Sequence, residues 1–143
     1  MRTTGGSGPL PRGRHELPRE EVVRSQRERL LTAAAKVCAE RGYDATTVAT
    51  ILAEARVGRE TFYELFDDRR DCVLEAHQVL LDGLIERVAD AYSGPGEWVD
   101  RCRATIAALL AWFAADPLIG RFQLVELAAI GPEFHERDRK SVV

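Results

Sequence analysis

Eighteen of the twenty cationic residues in this sequence are arginines, and the other two are Lys36 and Lys140. The planar guanidinium of arginine suits bidentate contacts to phosphate or to guanine, although a bias in genomic base composition would explain the same preference. The charge is unevenly distributed, because residues 1–70 carry a net charge of +2 whereas residues 71–143 carry −5. The total of −3 therefore hides a basic first half, which favours an anionic partner there.

The residue types that usually perform catalysis or hold metals are scattered. Three histidines lie far apart in the chain, at His15, His77 and His135. Three cysteines lie about thirty residues apart, at Cys38, Cys72 and Cys102, without a C-x-x-C pair. The sequence contains no serine-hydrolase elbow, zinc-protease motif or phosphate-binding P-loop. We therefore expect no enzyme activity, no metal site, no cofactor and no disulfide framework.

The 143 residues suffice for one domain, or for one small domain with part of another, and their composition of 45% apolar and 30% charged residues is that of a globular protein. The longest apolar run, residues 106–115, is half the length that a membrane helix needs. Residues 1–20 are basic without an apolar core and so do not form a secretory signal. These features predict a cytoplasmic protein without a membrane partner.

Helical periodicity runs through most of the chain, and no segment alternates as a strand would. Residues 1–19, which include several glycines and prolines, are predicted to form a flexible basic arm. Helices are predicted from about residue 20 to 41, from an N-cap at Thr46 or Thr47 through Glu54 or Ala55, and at residues 59–66. A long helix begins at an N-cap at Asp67 or Asp68 and runs to about residue 92, the next carries Trp98 to Phe113 on one face, and the last begins at Asp116-Pro117 and ends at Gly131-Pro132. The predicted fold is all-α.

Residues 47–66 are predicted to form a helix, a turn and a short second helix. The pair would cross around a small core composed of Val48, Ile51, Ala55, Val57 and Phe62. This packing would leave the second helix projecting from the domain, where it could enter a DNA major groove. Helix pairs of this length are common, so geometry alone indicates DNA binding only weakly.

Specific residues at fixed spacing strengthen this interpretation. They are Leu30, Leu31, Ala34, Gly42-Tyr43, Thr46-Thr47-Val48, Thr61-Phe62-Tyr63, Phe66 and Arg70. Over residues 23–76 the sequence resembles the N-terminal DNA-binding domain of the TetR family of transcriptional repressors. The resemblance implies a three-helix helix-turn-helix domain at residues 20–70, which a long helix joins to a helical effector-binding and dimerisation region at residues 71–143.

The sequence departs from the family pattern at several positions. Arg56 lies where the turn usually has glycine, and a left-handed arginine costs on the order of 1 kcal/mol. Gly58 replaces a capping serine, and Glu60 replaces a small residue. Leu65 lies where histidine or tyrosine is common, and Cys38 where an aromatic residue is common.

The predicted DNA contacts are Thr47, Gly58, Arg59, Glu60, Thr61, Tyr63 and Arg70. The Thr47 hydroxyl could donate to a phosphate, act as a plain N-cap, or do both. The resemblance makes Tyr63 and Arg70 phosphate contacts, whereas the alternatives are a core tyrosine and a solvated arginine. Arg70 lies in the first turn of a helix, where a cation opposes the helix dipole.

Base contacts are predicted for the start of the short helix. Arg59 could read the O6 and N7 acceptors of guanine, and Thr61 lies on the same helix. Glu60 could accept a hydrogen bond from the cytosine amine or simply repel misplaced phosphates. The arm arginines Arg12, Arg14 and Arg19 could follow a minor groove or the DNA backbone, although a disordered tail explains them better.

The second half of the chain carries an aromatic set that would line an apolar effector site. Its members are Trp98, Trp112, Phe113 and Phe122, although an aromatic stripe is more often plain core. The resemblance implies a homodimer, but the later helices that usually form the family's dimer interface are missing from this sequence. We therefore expect the effector region to be truncated.

The function predicted from the sequence is a ligand-responsive repressor that binds a palindromic double-stranded operator as a dimer. The alternative is a helical small-molecule-binding or dimer-partner protein whose DNA-binding half is vestigial. The departures at Arg56, Gly58 and Glu60, together with the short C-terminal region, suggest this alternative. Weaker DNA binding by a variant that lacks the Tyr63 phenol and the Arg70 charge would favour the first function.

Overall fold

The computed structural model describes residues 18–126 and residue 128, and every regular element in this part of the chain is helical. The α-helices are α1 (Arg19–Arg41), α2 (Val48–Ala55), α3 (Arg59–Leu65), α4 (Arg69–Tyr92), α5 (Trp98–Ala115) and α6 (Pro117–Arg121), and a π-helical turn (Phe122–Glu126) follows. The all-α prediction is confirmed. The first five predicted helices also form in the predicted order.

Helix α1 forms the centre of the first bundle. Glu20 and Glu21 lie in its first turn and Arg41 in its last, where each charge complements the helix dipole. Gly42 ends the helix with a φ of 82°, and its N–H donates to the carbonyl of Cys38 at 2.9 Å. A positive φ favours glycine at this position, as the sequence predicts.

The core lies where α1, α2, α3 and the first half of α4 meet. Its largest buried side chains include Leu30, Ile51, Phe62, Phe66 and Val73. The core predicted for the helix pair is confirmed, since Ile51, Ala55 and Phe62 are buried while Val48 and Val57 pack against them.

Side-chain caps begin three of the helices, as predicted. The Thr47 side chain accepts from the N–H of Thr50 at the start of α2, and the Asp68 side chain accepts from the N–H of Asp71 at the start of α4. Asp116 caps α6 in the same way, with Pro117 at the first helical position. These hydrogen bonds satisfy amides that helix geometry leaves without partners.

Helix α5 packs along α4 but buries none of its own residues fully within the described part of the chain. Where the two helices approach closely, the Trp112 ring would lie 3.0 Å from a Cβ built on Gly83. After α5 the chain bends by 105° into residues 117–125. Trp98, Ile106 and Leu110 are exposed along α5.

Two predicted boundaries differ from the structure. Arg19 opens α1 instead of ending the arm, and residues 1–18 of the predicted arm lie outside the described residues except for Pro18. The prediction of one regular α-helix after Asp116 is wrong, because α6 ends at Arg121 and a π-helical turn follows. The wider turn coincides with two consecutive residues, Phe122 and Gln123, that are both buried.

Candidate nucleic-acid interface

The N-terminus of α2 is held by a reciprocal pair of threonines. The N–H of Thr50 donates to Oγ1 of Thr47 at 3.2 Å, and the N–H of Thr47 donates to Oγ1 of Thr50 at 2.9 Å. Thr47 remains exposed, and its hydroxyl makes a long contact as donor, 3.3 Å to Oγ1 of Thr50. Thr47 is thus an N-cap, and its hydroxyl also remains accessible to an outside acceptor.

The turn between α2 and α3 contains two of the unusual residues. Arg56 has a φ of 54° and a ψ of 48°, which is the left-handed conformation considered from the sequence. Gly58 is the N-cap of α3 and provides no side-chain hydrogen bond. A Cβ at Gly58 would meet no atom within 4 Å, so this cap lacks a side chain for a reason other than space.

Helix α3 has one buried side and one solvent side. Phe62 is fully buried, and its ring contacts those of Tyr63 and Phe66 at centroid distances of 5.3 and 5.5 Å. Tyr63 is 51% exposed and is therefore not a core tyrosine. Arg59 and Glu60 are also exposed, whereas Thr61 is half-buried. The predicted base-reading residues thus lie at the accessible start of the helix.

The start of α4 carries two adjacent arginines with different surroundings. Arg70, the predicted phosphate contact, is half-buried in the first turn. Nη1 of Arg69 lies within hydrogen-bond distance of three backbone carbonyls in the α1–α2 connection, at 2.7 Å from Thr46, 3.1 Å from Tyr43 and 3.3 Å from Asp44. The Arg69 guanidinium also lies 4.6 Å from the centroid of the Tyr43 ring.

Sequence reasoning missed the role of Arg69. Its first-turn position opposes the helix dipole as much as that of Arg70, so the dipole argument could not separate them. The carbonyls that it contacts become recognisable only once α4 and the α1–α2 connection lie side by side. Arg69 thereby positions the start of α4 relative to α2.

Other arginines on α1 support the helix pair from behind. Nη2 of Arg29 donates to the carbonyls of Ala55 at 2.6 Å and Arg56 at 3.0 Å, at the end of α2. Arg27 forms an ion pair with Glu75 of α4, and its guanidinium lies 5.0 Å from the Phe66 ring centroid. Both arginines are thus engaged within the domain.

The pKa values of three ionisable groups near the helix pair are shifted by their surroundings. Lys36 and Glu54 form an exposed ion pair at 2.6 Å. A hydrogen bond and the opposite charge raise the pKa of Lys36 and lower that of Glu54. Burial raises the pKa of the Cys72 thiol to about 12, so Cys72 is a core residue without thiolate reactivity.

The aromatic residues predicted to line an effector site lie at different places. Trp98 is 65% exposed at the start of α5, and Trp112 lies fourteen residues later, about 21 Å along the helix axis. Nε1 of Trp112 donates to Oε1 of Gln123 at 2.8 Å. Phe113 is half-buried near Gly120, and the buried Phe122 ring lies 6.1 Å from that of His77. The structure therefore places Trp112, Phe113 and Phe122 near the bend and Trp98 away from them.

The described residues contain neither a metal-binding cluster nor a single helix able to span a membrane. No group of three or more His, Cys, Asp or Glu side chains in residues 18–126 could hold a metal ion. No single helix there is long and apolar enough to cross a membrane, and α5 meets that test only together with residues 117–125 beyond the bend.

The helix pair lies within a segment that is similar to a known protein family. Residues 30–76 match the N-terminal family described as bacterial regulatory proteins, tetR family, and this match spans 47 of the 143 residues. The chain is also similar to the HTH-type transcriptional regulator HbdR of Aromatoleum sp. (strain CIB). That similarity is 30% identity over 88 residues, which are 61% of this chain and 38% of the relative.

Two further comparisons extend over more of the chain. An uncharacterized HTH-type transcriptional regulator in the lacX 3' region of Lactococcus lactis subsp. lactis is 25% identical over 80% of this chain and 61% of its own length. The crystal structure of a TetR family transcription regulator from Marinobacter aquaeolei VT8 matches with a TM-score of 0.75 at 22% identity, over 85% of this chain and 64% of the other. The fold is thus shared, and the chain spans less than two thirds of each relative.

Proposed function

Because residues 30–76 of this chain match the N-terminal model of the tetR family, we propose that the protein regulates transcription by binding duplex DNA through α2 and α3. The observation that carries this proposal is the two-sided character of α3. Phe62 anchors the helix in the core, while Arg59, Glu60 and Tyr63 face solvent. A short helix held in this way fits the major groove, which is about 12 Å wide.

In the proposed complex, α2 crosses the phosphate backbone and the start of α3 faces the base edges. Thr47 donates its hydroxyl hydrogen to a phosphate and gives up its 3.3 Å contact with Thr50. The phenol of Tyr63 and the guanidinium of Arg70 contact phosphates as well. These contacts position the protein without reading sequence.

Sequence discrimination is assigned to Arg59, Glu60 and Thr61 at the start of α3. Arg59 suits guanine because its guanidinium can donate to both O6 and N7. Glu60 suits cytosine, because its carboxylate can accept a hydrogen bond from the amine of that base. Gly58 lets the backbone at the N-terminus of α3 approach the DNA without a side chain between them.

The proposed division places the DNA-binding domain at residues 20–70 and an effector-binding and dimerisation region at residues 71–143. An effector between the later helices would shift α4 and change the spacing of two recognition helices in a dimer. The effector would bind one spacing of the recognition helices more tightly than the other. Operator affinity would then fall by as much as the effector's affinity differs between these two spacings. The protein would act in the cytoplasm, where a bacterial chromosome is accessible.

The exposed apolar surface of α5 supports this role for the second region. A shallow groove on α5 is lined by Val99, Cys102, Arg103, Ile106, Ala107 and Leu110. Exposed apolar surfaces of this kind usually bind a partner or a ligand. Replacing Ile106 by glutamate would place a charge in the groove, and we expect this variant to lose any dimer that the wild-type protein forms in light-scattering measurements.

The DNA-binding proposal is tested by selection from random duplex DNA followed by fluorescence anisotropy at several salt concentrations. We expect a palindromic site to be enriched, because a dimer presents two copies of α3 to two half-sites. Log affinity should fall linearly with log salt as counterions are released. Binding that is absent at low salt, or independent of salt, would overturn the proposal.

A second candidate function is favoured by the acidic character of the segment around α3. In residues 57–68, Glu60, Glu64, Asp67 and Asp68 are exposed, and Arg59 is the only cation of that segment. This surface suits a helical small-molecule-binding or dimer-partner protein whose DNA-binding half is vestigial. For such a protein, the selection would enrich no site, while an ion-pairing protein partner would still bind.

A further inference from the structure

Arg56 is the only non-glycine residue with a positive φ in the part of the chain that the structure describes. Its φ of 54° and ψ of 48° lie in the left-handed region, where a Cβ approaches the following carbonyl too closely. Strained residues of this kind persist where the surroundings impose the conformation, and they concentrate at functional sites. The side chain at this position therefore requires an explanation.

The backbone at Arg56 is held by contacts that do not need its side chain. Its N–H donates to the carbonyl of Leu52 at 2.8 Å, and its own carbonyl accepts from Nη2 of Arg29 at 3.0 Å. A glycine would make the same two contacts without strain. The turn geometry thus gives no reason for an arginine.

The charge of the helix pair does give a reason. Residues 47–66 contain only two cations, Arg56 and Arg59, against three carboxylates. Both arginines are exposed. Glu54 is paired with Lys36, whereas Glu60 and Glu64 remain exposed on α3. An anionic partner of this surface therefore meets few positive charges, and Arg56 provides one of them.

The position of Arg56 indicates which anion it meets. It caps the C-terminus of α2 and lies three residues before the first residue of α3. In a helix-turn-helix complex the first helix crosses the backbone and the start of the second enters the groove. A residue in the turn between them lies beside the backbone at the edge of the groove, within reach of a long guanidinium side chain.

We propose that Arg56 binds a DNA backbone phosphate at the edge of the major groove, and that this chain retains the contact despite the strain in the turn. This inference rests on the proposed DNA-binding function and adds a residue to its phosphate contacts. A competing explanation is local, because a cation at the C-terminus of α2 also complements the helix dipole. The two explanations predict different results for a neutral substitution.

The test compares the wild-type protein with Arg56→Gly, Arg56→Asn and Arg56→Lys variants. Glycine and asparagine tolerate the left-handed conformation and remove the charge, whereas lysine keeps both charge and strain. The probe is fluorescein-labelled duplex DNA of mixed sequence, titrated between about 50 and 200 mM KCl. Thermal unfolding is measured on the same preparations.

We expect Arg56→Gly and Arg56→Asn to weaken binding about tenfold and to reduce the slope of log affinity against log salt by about 0.9 per bound protomer. Arg56→Lys should keep the wild-type slope. Relief of strain should also raise the Tm of the glycine variant by roughly 2–6 °C.

An unchanged salt slope in both neutral variants would overturn the inference, whatever their stability. A lower Tm with unchanged binding would assign Arg56 to the dipole of α2 instead. If the wild-type protein itself bound no duplex at about 50 mM salt, the proposed function would fail and the inference with it. Salt-dependent wild-type binding that the neutral variants reproduce would overturn the inference alone.

Discussion

Arg69→Met should destabilise the protein, because Arg69 joins the start of α4 to the α1–α2 connection. Its Nη1 approaches the carbonyls of Thr46 at 2.7 Å and Tyr43 at 3.1 Å, with a longer approach of 3.3 Å to Asp44. The guanidinium also lies 4.6 Å from the Tyr43 ring centroid. Methionine preserves much of the side-chain volume but offers no donor and no charge.

The magnitude follows from these contacts. One Nη1 group has two hydrogens, so the three approaches amount to about two hydrogen bonds, each worth about 1.5–3 kcal/mol when the donor is charged. The ring contact adds about 0.5–1 kcal/mol. Partial exposure reduces both contributions, and the unfavourable dipole offsets about 0.3–1 kcal/mol. We expect a net loss of about 2 kcal/mol in the free energy of unfolding.

Thermal and urea unfolding measure this loss, which corresponds to a Tm lower by roughly 6–8 °C. Arg69→Lys is the matched control, since lysine keeps the charge but lacks the planar fork, and it should lose about half as much. A methionine variant with the wild-type Tm would show that Arg69 does not hold the connection.

Three further predictions concern individual positions in the fold. Gly58→Ser should raise the free energy of unfolding by a few tenths of a kcal/mol in urea titrations, because a serine Oγ can accept hydrogen bonds from the first amides of α3. The added Cβ meets no atom within 4 Å. A lower free energy of unfolding in the serine variant would refute this prediction. Phe62→Ala should lower the free energy of unfolding by about 3–5 kcal/mol, because Phe62 is fully buried. Leu110→Ala, on the exposed side of α5, should change the free energy of unfolding by less than about 0.5 kcal/mol. Equal effects of the two substitutions in urea titrations would contradict the burial pattern. Burial lowers the pKa of His77, so the unfolded chain binds a proton before the folded protein does as the pH falls through about 6.5, and the free energy of unfolding should decrease from there downward. Thermal unfolding between about pH 7 and 5 should show a Tm that depends less on pH for His77→Gln than for the wild-type protein. An equal dependence of Tm on pH in both proteins would exclude His77 as the cause.

The starts of α2, α4 and α6 could be predicted from the sequence because local chemistry sets them. Thr47, Asp68 and Asp116 cap helices through their own side chains, so their positions are recognisable without knowledge of the fold. The buried side of the helix pair was equally predictable, since Ile51 and Phe62 follow helical periodicity. The left-handed conformation of Arg56 could be considered from the sequence, because in the family pattern this residue replaces a turn glycine, and the structure has that conformation.

Contacts between elements distant in the chain could not be predicted in this way. Arg69 and Arg70 are adjacent arginines, and the sequence does not show which of them contacts the α1–α2 connection. Only the position of that connection, whose Thr46 carbonyl accepts from Arg69, reveals this. The anchoring of the end of α2 by Arg29 likewise joins residues 26 apart. The π-helical turn was missed because no local sequence signal marks it; it coincides with the burial of both Phe122 and Gln123.

The central claim, that α3 and the start of α4 bind DNA, is tested most directly by a Tyr63→Phe, Arg70→Ala double variant in salt-dependent anisotropy. With the site selected from random DNA, we predict weaker binding on selected and mixed sequences alike, together with a shallower salt slope, because both residues are assigned to phosphates. A double variant that remains folded and binds with the wild-type affinity and slope would contradict the claim.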